Sequence, residues 1–425
     1  MNYQETTDYL LNIPKFAGKH TVALTRAFYK ELFPNTSQMK IIHVAGTNGK
    51  GSVCAYLRTA LRAMGYTVGI FTSPHLVKIN ERIKYEDADI TDDEVITYFD
   101  KVKEHLTPGG YHPSFFEYFF FMAMLFFADK KPDYLILETG LGGKLDATSI
   151  TEDPVINIIT RIGYDHMAYL GDTLELIAGE KAGILRENVP VVYDALVDEA
   201  AAVIKKRAKE LSCPAFPITK EDFSLEAVHN KNIDFYYVSR YYSSVRLTAG
   251  TPALYQLENA SLALRALEVM FDESKLSPEI LKKAVRETHW KARMDEVLPG
   301  VFVDGAHNED GIRAFIESVS ANSPEGKRRL IFGVVKDKEY DKMVEDIVTS
   351  HLFESIDVVS IDNPRTVTAE ELAELFKKAG CGEVGVFASV KEAYKEAESR
   401  KEEGDVIYIA GSLYLAGEIL DYLGL

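Results

Sequence analysis

Three observations predict an α/β fold built from two doubly wound parts. Short apolar runs alternate with stretches of helical spacing over most of the chain, many of those runs stop at glycines or polar groups, and 425 residues exceed what one core usually serves. The larger part, residues 1–294, should carry a mostly parallel sheet with helices on both faces and a small antiparallel patch. Residues 295–425 should form a smaller α/β domain. A hydrophobic content of 46% and a charged content of 27% are those of a soluble globular protein. The net charge of −17 argues against broad binding to nucleic acid or to an anionic membrane, although a local basic pocket can still hold phosphates. Met1-Asn2-Tyr3-Gln4-Glu5 lacks the basic start and apolar core of a signal peptide, and Cys54, Cys213 and Cys381 lack metal-ligand spacing. A cytoplasmic protein without disulfides is expected.

Residues Met1 to Lys40 read as short helices and loops punctuated by Pro14, Gly18 and Pro34. The apolar run from Ile41 to Ala45 then stops at Gly46-Thr47-Asn48-Gly49-Lys50-Gly51-Ser52, and helical spacing resumes at Val53, Leu57, Leu61 and Met64. That is a strand, a phosphate loop and a helix. Its glycines let backbone N–H groups turn toward an anion, the helix N-terminus adds its dipole, Lys50 supplies charge, and Ser52 can hold Mg2+. The spacing is a variant of G-x-x-x-x-G-K-[ST], with two residues between Gly46 and Gly49 and with Gly51 between Lys50 and Ser52. A glycine-rich turn without a ligand is the alternative reading.

Tyr66 to Phe71 is a β-prone run ending in Thr72-Ser73-Pro74-His75-Leu76, which alone reads as an ordinary polar turn. Phe115 to Phe127 holds seven phenylalanines, is too short for a bilayer span and carries Glu117, so it reads as a buried helix. Tyr134 to Leu137 runs into Glu138-Thr139-Gly140-Leu141-Gly142-Gly143, and Pro154 to Thr160 leads to Gly163-Tyr164-Asp165-His166. Four successive strand-like runs thus lead to Ser52, Ser73, Glu138 and His166. In an open parallel sheet such ends gather on one edge, where ligands bind. Serine, glutamate and histidine beside phosphates suggest one or two Mg2+ ions held by few protein groups, nucleotide oxygens and water.

Thr173 to Leu185 reads as a helix on which Lys181 looks like a surface lysine. A strand at Val191 to Tyr193 and a helix around Ala200 to Leu211 follow. Phe235 to Val238 and Ser244 to Leu247 suggest the antiparallel patch, and a helix from Leu257 to Phe271 brings Gln256 and Asn259 to its start. His289 to Met294, with the single tryptophan Trp290, leads to Pro299-Gly300 and marks the domain boundary. Strand-like runs then begin at Val301, Leu330, Ile356 and Val406, each ending in polar or glycine residues. From the residues alone, Asp304-Gly305-Ala306-His307-Asn308 is equally a turn or a site.

Taken together, these stretches resemble, in order and along nearly the whole chain, bacterial folylpolyglutamate synthase and dihydrofolate synthase, members of the Mur ligase superfamily of ATP-dependent amide-forming enzymes. The resemblance rests on Ile42 to Ser52, Thr72 to Leu76 with Asn80-Glu81-Arg82-Ile83, Glu138 to Gly143, Asp165-His166 and Glu180 to Ile184. It continues through Tyr255-Gln256 with Asn259-Ala260, Val303 to Asn308, and Gly411 to Ala416. It implies a P-loop-type Mur ligase central domain followed by a Rossmann-like C-terminal domain.

The same resemblance implies roles. Gly46, Thr47, Asn48, Gly49, Lys50, Gly51 and Ser52 would bind ATP together with Gln256, Asn259, Arg293 and Asp304. Ser52, Ser73, Glu138 and His166 would hold Mg2+, and Ser73, Pro74, His75 and Arg82 would line the folate site. Lys181 matches a lysine carbamylated in the superfamily, which replaces the surface reading. Lys50, His166, Lys181, Arg293, Asp304 and His307 would be catalytic, and a monovalent cation (K+) is a further expected cofactor. The substrates would be L-glutamate with tetrahydrofolate or dihydropteroate, the enzyme a monomer that binds neither nucleic acid nor membrane. Lys144, Ser149 and Ala292 depart from the family pattern, where Arg, Asn and Gly are expected. Rival readings are a dihydrofolate synthase only, a cell-wall Mur enzyme, and a nucleotide-switch or ATPase module. The last would need a guanine-reading Asn-Lys-x-Asp or a DxxG switch, and neither stands in a suitable place.

Overall fold

The run Ile41 to Ala45 forms strand β1, Lys40–Ala45, and every residue after Lys40 in it is buried. A strand covered on both faces reads as a continuous apolar run, so it belongs in the middle of a parallel sheet. The computed structural model describes residues 1–13, 22–33, 39–107, 110–151, 153–229, 231–322 and 324–425. The expected breaks at Pro14, Gly18 and Pro34 lie outside them. The chain forms two compact units. Met1–Ile162, Leu174–Lys220 and Ala260–Ala284 make the first, and Gly163–Thr173, Glu221–Asn259 and Val285–Leu425 make the second.

In the first unit, β1 is joined by β2 (Val68–Phe71), β3 (Ile83–Tyr85), β4 (Ala88–Asp89), β5 (Tyr134–Glu138), β6 (Ile156–Ile159), β7 (Val191–Asp194) and β8 (Ala215–Ile218). Their order is β4-β3-β2-β5-β1-β6-β7-β8. From β2 to β8 the neighbours are parallel, and β3 and β4 add an antiparallel edge. The four strands whose ends carry the expected ligand groups, β2, β5, β1 and β6, are therefore consecutive neighbours. Their C-terminal ends lie side by side on one edge.

The phenylalanine-rich segment is the helix Phe115–Lys130, with ten of its sixteen residues buried. Glu117, the charge in its first turn, belongs to a capping box: its carboxylate accepts from the Ser114 N–H at 2.8 Å and from the Thr25 hydroxyl at 2.9 Å. Phe119, Phe120, Phe121 and Phe127 are wholly buried in one cluster with Phe71, Phe99 and Leu135. Each such side chain contributes about 1.5–3 kcal/mol through burial. Among the described residues, no helix is long and apolar enough to cross a membrane.

The second unit holds two sheets. β9 (Phe223–Val228), β10 (Ile233–Tyr237) and β11 (Val245–Ala249) form the antiparallel patch, in the order β11-β10-β9. β12 (Asp295–Leu298), β13 (Val301–Val303), β14 (Arg328–Phe332), β15 (Ser355–Val359), β16 (Val384–Phe387) and β17 (Val406–Ala410) form the other, in the order β12-β13-β17-β14-β15-β16. Only β12 is antiparallel there. The four strand runs expected in this half are present, and the edge strands β12 and β16 are additional.

Candidate active site

The phosphate loop is shaped by two glycines. Gly46 has φ 151°, and a Cβ there would lie 1.8 Å from Thr160 Oγ1, so only glycine fits against the end of β6. Gly49, φ 89°, is the left-handed N-cap of the helix Lys50–Ala63. The loop is pinned at its middle: the Thr47 N–H donates to the Arg161 carbonyl at 2.9 Å, and the Thr160 hydroxyl donates to the Asn48 carbonyl at 2.6 Å. The Lys50 ammonium curls back to the carbonyls of Gly46 and Thr47, both at 3.1 Å. Ser52 is buried in the first turn of that helix.

Lys181 is not on the surface. It is the last residue of the helix Leu174–Lys181, shorter than the expected Thr173 to Leu185, and is 4% exposed. Its ammonium donates to the same Gly46 carbonyl at 2.8 Å. Two lysines from different helices thus converge on one loop oxygen. Reading Lys181 as solvated failed because a single lysine on a short helix gives no sign of which neighbours cover it.

Glu138, at the end of β5, is 3% exposed and accepts the Ser73 N–H at 3.0 Å, with Lys50 Nζ 4.0 Å from its other oxygen. Ser52, Ser73 and Glu138 offer hydroxyl and carboxylate oxygens only. That donor set suits Mg2+, a hard cation that keeps several waters and needs few protein ligands. Among the described residues, no group of three or more His, Cys, Asp or Glu is placed to enclose a metal ion by itself.

The loop after Ser73 is organised by Glu81, whose carboxylate accepts the N–H groups of Leu76, Val77 and Lys78 at 2.8–2.9 Å. Arg82 is 6% exposed, donates through Nε to His75 Nδ1 at 2.8 Å, and stands over the rings of Phe115 and Phe119 at 4.9 and 5.3 Å. These contacts make His75 Nδ1 an acceptor and hold the guanidinium in place by cation–π attraction.

Asp146 was not anticipated. It shapes the Gly140 to Gly143 loop, its carboxylate accepting from the N–H groups of Gly140, Leu141 and Thr148 at 2.9–3.0 Å and from the Thr148 hydroxyl. Burial raises its carboxyl, and these donors oppose the rise. Thr148 Oγ1 is also 2.8 Å from Nε2 of His43, in the middle of β1. Burial, with Arg186 nearby, pushes the His43 pKa down to about 3, so its ring is neutral. Of the residues that depart from the family pattern, Ser149 is buried and donates to the Gly143 carbonyl at 2.5 Å, while Lys144 is exposed.

In the second unit, Asp304 follows β13 and is 2% exposed. It accepts from the Tyr255 hydroxyl at 2.6 Å and from the N–H groups of Met294 and Ala306, both at 2.8 Å. Burial raises its carboxyl, and the Arg293 charge pulls the other way. Gly305 leaves room for the guanidinium: a Cβ there would lie 2.2 Å from Arg293 Nη1. Ala292 and Met294, on either side of Arg293, have φ 54° and 47°, which accounts for glycine being expected at 292. Gln256 and Asn259 begin the helix Gln256–Met270, with Asn259 Nδ2 donating to Gln256 Oε1 at 3.1 Å.

His166 and His307 meet one carboxylate, Asp165. His307 Nε2 lies 3.5 Å and His166 Nε2 3.8 Å from its oxygens, and Lys338 Nζ is 2.5 Å away. Burial would raise this carboxyl, yet His307, Lys338 and His166 hold it well below the usual range. Lys338 and the role of Asp165 escaped the sequence reading. The signal was there in outline, since Asp165 adjoins His166 and Lys338 ends the loop after β14.

Comparisons with known proteins give the family. Residues 44–267 match the Mur ligase middle domain, and residues 292–413 match the Mur ligase glutamate ligase domain. The chain is 33% identical to the dihydrofolate synthase/folylpolyglutamate synthase of Bacillus subtilis, over 98% of each chain. It is 29% identical to the folylpolyglutamate synthase of Lacticaseibacillus casei, over 99% of this chain and 98% of that one. Among solved structures it is similar to a FolC of E. coli in complex with DHPP and ADP, with TM-score 0.85, 26% identity and coverage of 100% of this chain and 98% of that one. An FPGS–AMPPCP–folate complex is matched with TM-score 0.85 and 27% identity, over the full length of both chains. With both ligase domains matched and a relative 33% identical over nearly its whole length, the chain belongs to the dihydrofolate synthase/folylpolyglutamate synthase family of Mur ligases.

Proposed function

We propose that this protein uses ATP to join L-glutamate to the carboxylate of a folate-type acid, releasing ADP and phosphate. Tetrahydrofolate would yield folylpolyglutamate, and dihydropteroate would yield dihydrofolate. The observation that carries the reading is the convergence, at the edge of one sheet, of a glycine-shaped anion loop, two lysines on the Gly46 carbonyl, and the Glu138–Ser73 pair. The curated relatives and the nucleotide and folate complexes of similar structures support it.

A carboxylate is a poor acylating agent for an amine, so one of its oxygens first attacks the γ-phosphorus of ATP. The bond to ADP breaks and an acyl phosphate forms. The glutamate nitrogen then attacks the carbonyl carbon, the tetrahedral intermediate expels phosphate, and the nitrogen gives up its proton. Lys50 and the loop N–H groups bind the phosphates and spread the charge on the transferring oxygens. Gly46 to Ser52, Gln256 and Asn259 form the ATP site. Arg293, Asp304 and His307 act on the nucleotide, with Asp304 holding the Arg293 turn in shape. Ser52 would hold the Mg2+ of the ATP phosphates, and Ser73, Glu138 and His166 would hold a second Mg2+; when bound, such ions neutralise phosphate charge. Ser73, Pro74, His75 and Arg82 border the folate site. The domains are taken as residues 1–294 and 295–425, a division supported by the extents of the two family matches.

Carbamylation of Lys181 would exchange the donor on Gly46 for an anion, and a 13C carbamate signal in protein equilibrated with labelled bicarbonate reads it directly. K+ dependence of turnover reads the monovalent cation. Monomeric assembly, readable by sedimentation, and a cytoplasmic location complete the proposal. The deciding experiment is ADP release with glutamate and either tetrahydrofolate or dihydropteroate. Release only when glutamate and one of the acids are both present is the expected result. Activity with dihydropteroate alone narrows the function to dihydrofolate synthesis, and release with neither acid means an ATPase module.

A further inference from the structure

We propose that Asp165 is a positioning residue that ties the backbone of His166 to the side chains of His307, Asn308 and Lys338, so that the two histidines are placed together. The proposal rests on the ligase reading above, in which both imidazoles serve the site. Asp165 Oδ1 accepts the His166 N–H at 2.8 Å and the Lys338 ammonium at 2.5 Å. Oδ2 accepts from Asn308 Nδ2 at 3.2 Å and faces His307 Nε2 at 3.5 Å. The other ring nitrogen of His307 lies 2.8 Å from the Gly305 carbonyl, so the imidazole has an oxygen beside each of its nitrogens. The side chains of Asp165 and Lys338 are 7% and 8% exposed.

Backbone geometry supplies a second observation. His166 has φ 52°, a left-handed conformation that costs a non-glycine residue energy and persists only when its surroundings enforce it. Three residues earlier, a Cβ on Gly163 would lie 1.7 Å from Asp310 Oδ2, so this segment seats closely on the start of the helix Glu309–Ala321. Asn308, which donates to Asp165, is the N-cap of the same helix. Residues 163–173 are part of the second unit, while the chain on either side, β6 and the helix Leu174–Lys181, is part of the first. Asp165 is thus the polar anchor of a strap that leaves one unit and returns to it. Buried ion pairs add little net stability, so such a convergence on one carboxylate is better explained by placement of its partners.

The test combines kinetics with hydrogen exchange on the full-length protein. Asp165→Asn, nearly isosteric, should lower kcat for glutamate-dependent ADP release by roughly 10–100-fold, the usual effect of losing an outer-shell partner. KM for ATP should stay within about threefold, because the phosphate loop is untouched. Lys338→Met should show the same loss, and the double variant should be no slower than the worse single one, since both act through one carboxylate. Amide exchange over residues 163–173 and 305–311 should quicken in each variant. A kcat near the parental value, multiplicative losses in the double variant, or unchanged exchange would each overturn the proposal. If Asp165→Asn does not fold, Lys338→Met decides by the same two readouts. A parent inactive with both acids would count against the ligase reading, while exchange would still judge the strap.

Discussion

Each unit bends a functional loop around a buried aspartate, and the two do it differently. Asp146 in the first unit accepts backbone N–H groups and a threonine hydroxyl, in a loop that contains Gly140, Gly142 and Gly143. Asp304 in the second unit also accepts two backbone N–H groups and a hydroxyl, but it works beside Arg293, and the flanking left-handed positions are Ala292 and Met294. The phosphate loop of the first unit likewise meets its conformational demands with glycines, Gly46 and Gly49. Where glycine supplies the conformation, a carboxylate need only satisfy donors. Where it does not, the carboxylate must also hold a strained turn and a charge. This predicts that damage to the first unit's polar network shows chiefly as lost stability, and damage around Asp304 chiefly as lost turnover.

The largest effect should come from the groups proposed to meet the phosphates and the metal. Lys50→Ala and His166→Ala should each abolish glutamate-dependent ADP release, a loss of at least about a thousandfold, because each removes a group to which the proposed mechanism gives the transferring phosphate or its metal. Near-parental turnover in either variant would mean that the corresponding assignment is wrong.

Acid should separate the units next. His43 has a folded pKa of about 3 against an ordinary value near 6.5, so the folded protein refuses a proton that the unfolded chain accepts. Its contribution is fully present above pH 6.5 and is lost as pH falls toward 3. Asp146 and Asp304 run the other way: with raised pKa values, their contribution is present at low pH and is lost as pH rises through their folded values. Urea unfolding at pH 7 and pH 4 should therefore show a smaller acid loss in His43→Gln than in the parent, by up to about 3 kcal/mol. Equal losses in the two proteins would show that a neutral His43 is not what acid disrupts.

The direct contrast of the aspartates comes third. Asp146→Asn should lower stability by about 1–3 kcal/mol, because an amide cannot accept from all the donors around it, with turnover reduced less. Asp304→Asn leaves the Arg293 guanidinium without its neighbouring charge and should cut kcat by roughly tenfold or more, at a smaller change in unfolding midpoint. Reversal of that pattern, read by paired unfolding and ADP-release measurements, would remove the distinction between the two loops.

How much of this was legible in the sequence depended on what each residue needed. The ends of β1, β2, β5 and β6 could be read because apolar runs followed by polar or glycine residues carry their own signal. Edge strands could not: β12 is Asp-Glu-Val-Leu and only half covered, and β16 contains Gly385 and is partly exposed, so neither shows the run of a buried strand. Lys181 and Asp146 were hidden for another reason. Their roles come from partners that lie far away in sequence or on a turn, Gly46 for the lysine and the Gly140 to Thr148 loop for the aspartate. The arrangement around Asp165 was hidden because its partners at 307, 308 and 338 are brought to it only by the ends of β13 and β14.

The smallest expected effect tests the contrast most closely. Ala292 is fully buried with φ 54°, beside the arginine that Asp304 attends. An alanine in that conformation carries strain that glycine avoids, although glycine loses more backbone entropy on folding and gives up a buried methyl group. If the turn is strained and Asp304 holds it, relief should outweigh those losses, and Ala292→Gly should raise stability by about 0.5–1 kcal/mol with kcat unchanged. The gain should be smaller in an Asp304→Asn background, where the turn is no longer held and the alanine can relax, so a double-mutant cycle of unfolding free energies should show coupling. A loss of stability in Ala292→Gly, or strict additivity in the cycle, would mean that the aspartate and the left-handed alanine act independently, and that the two units shape their loops by the same means after all.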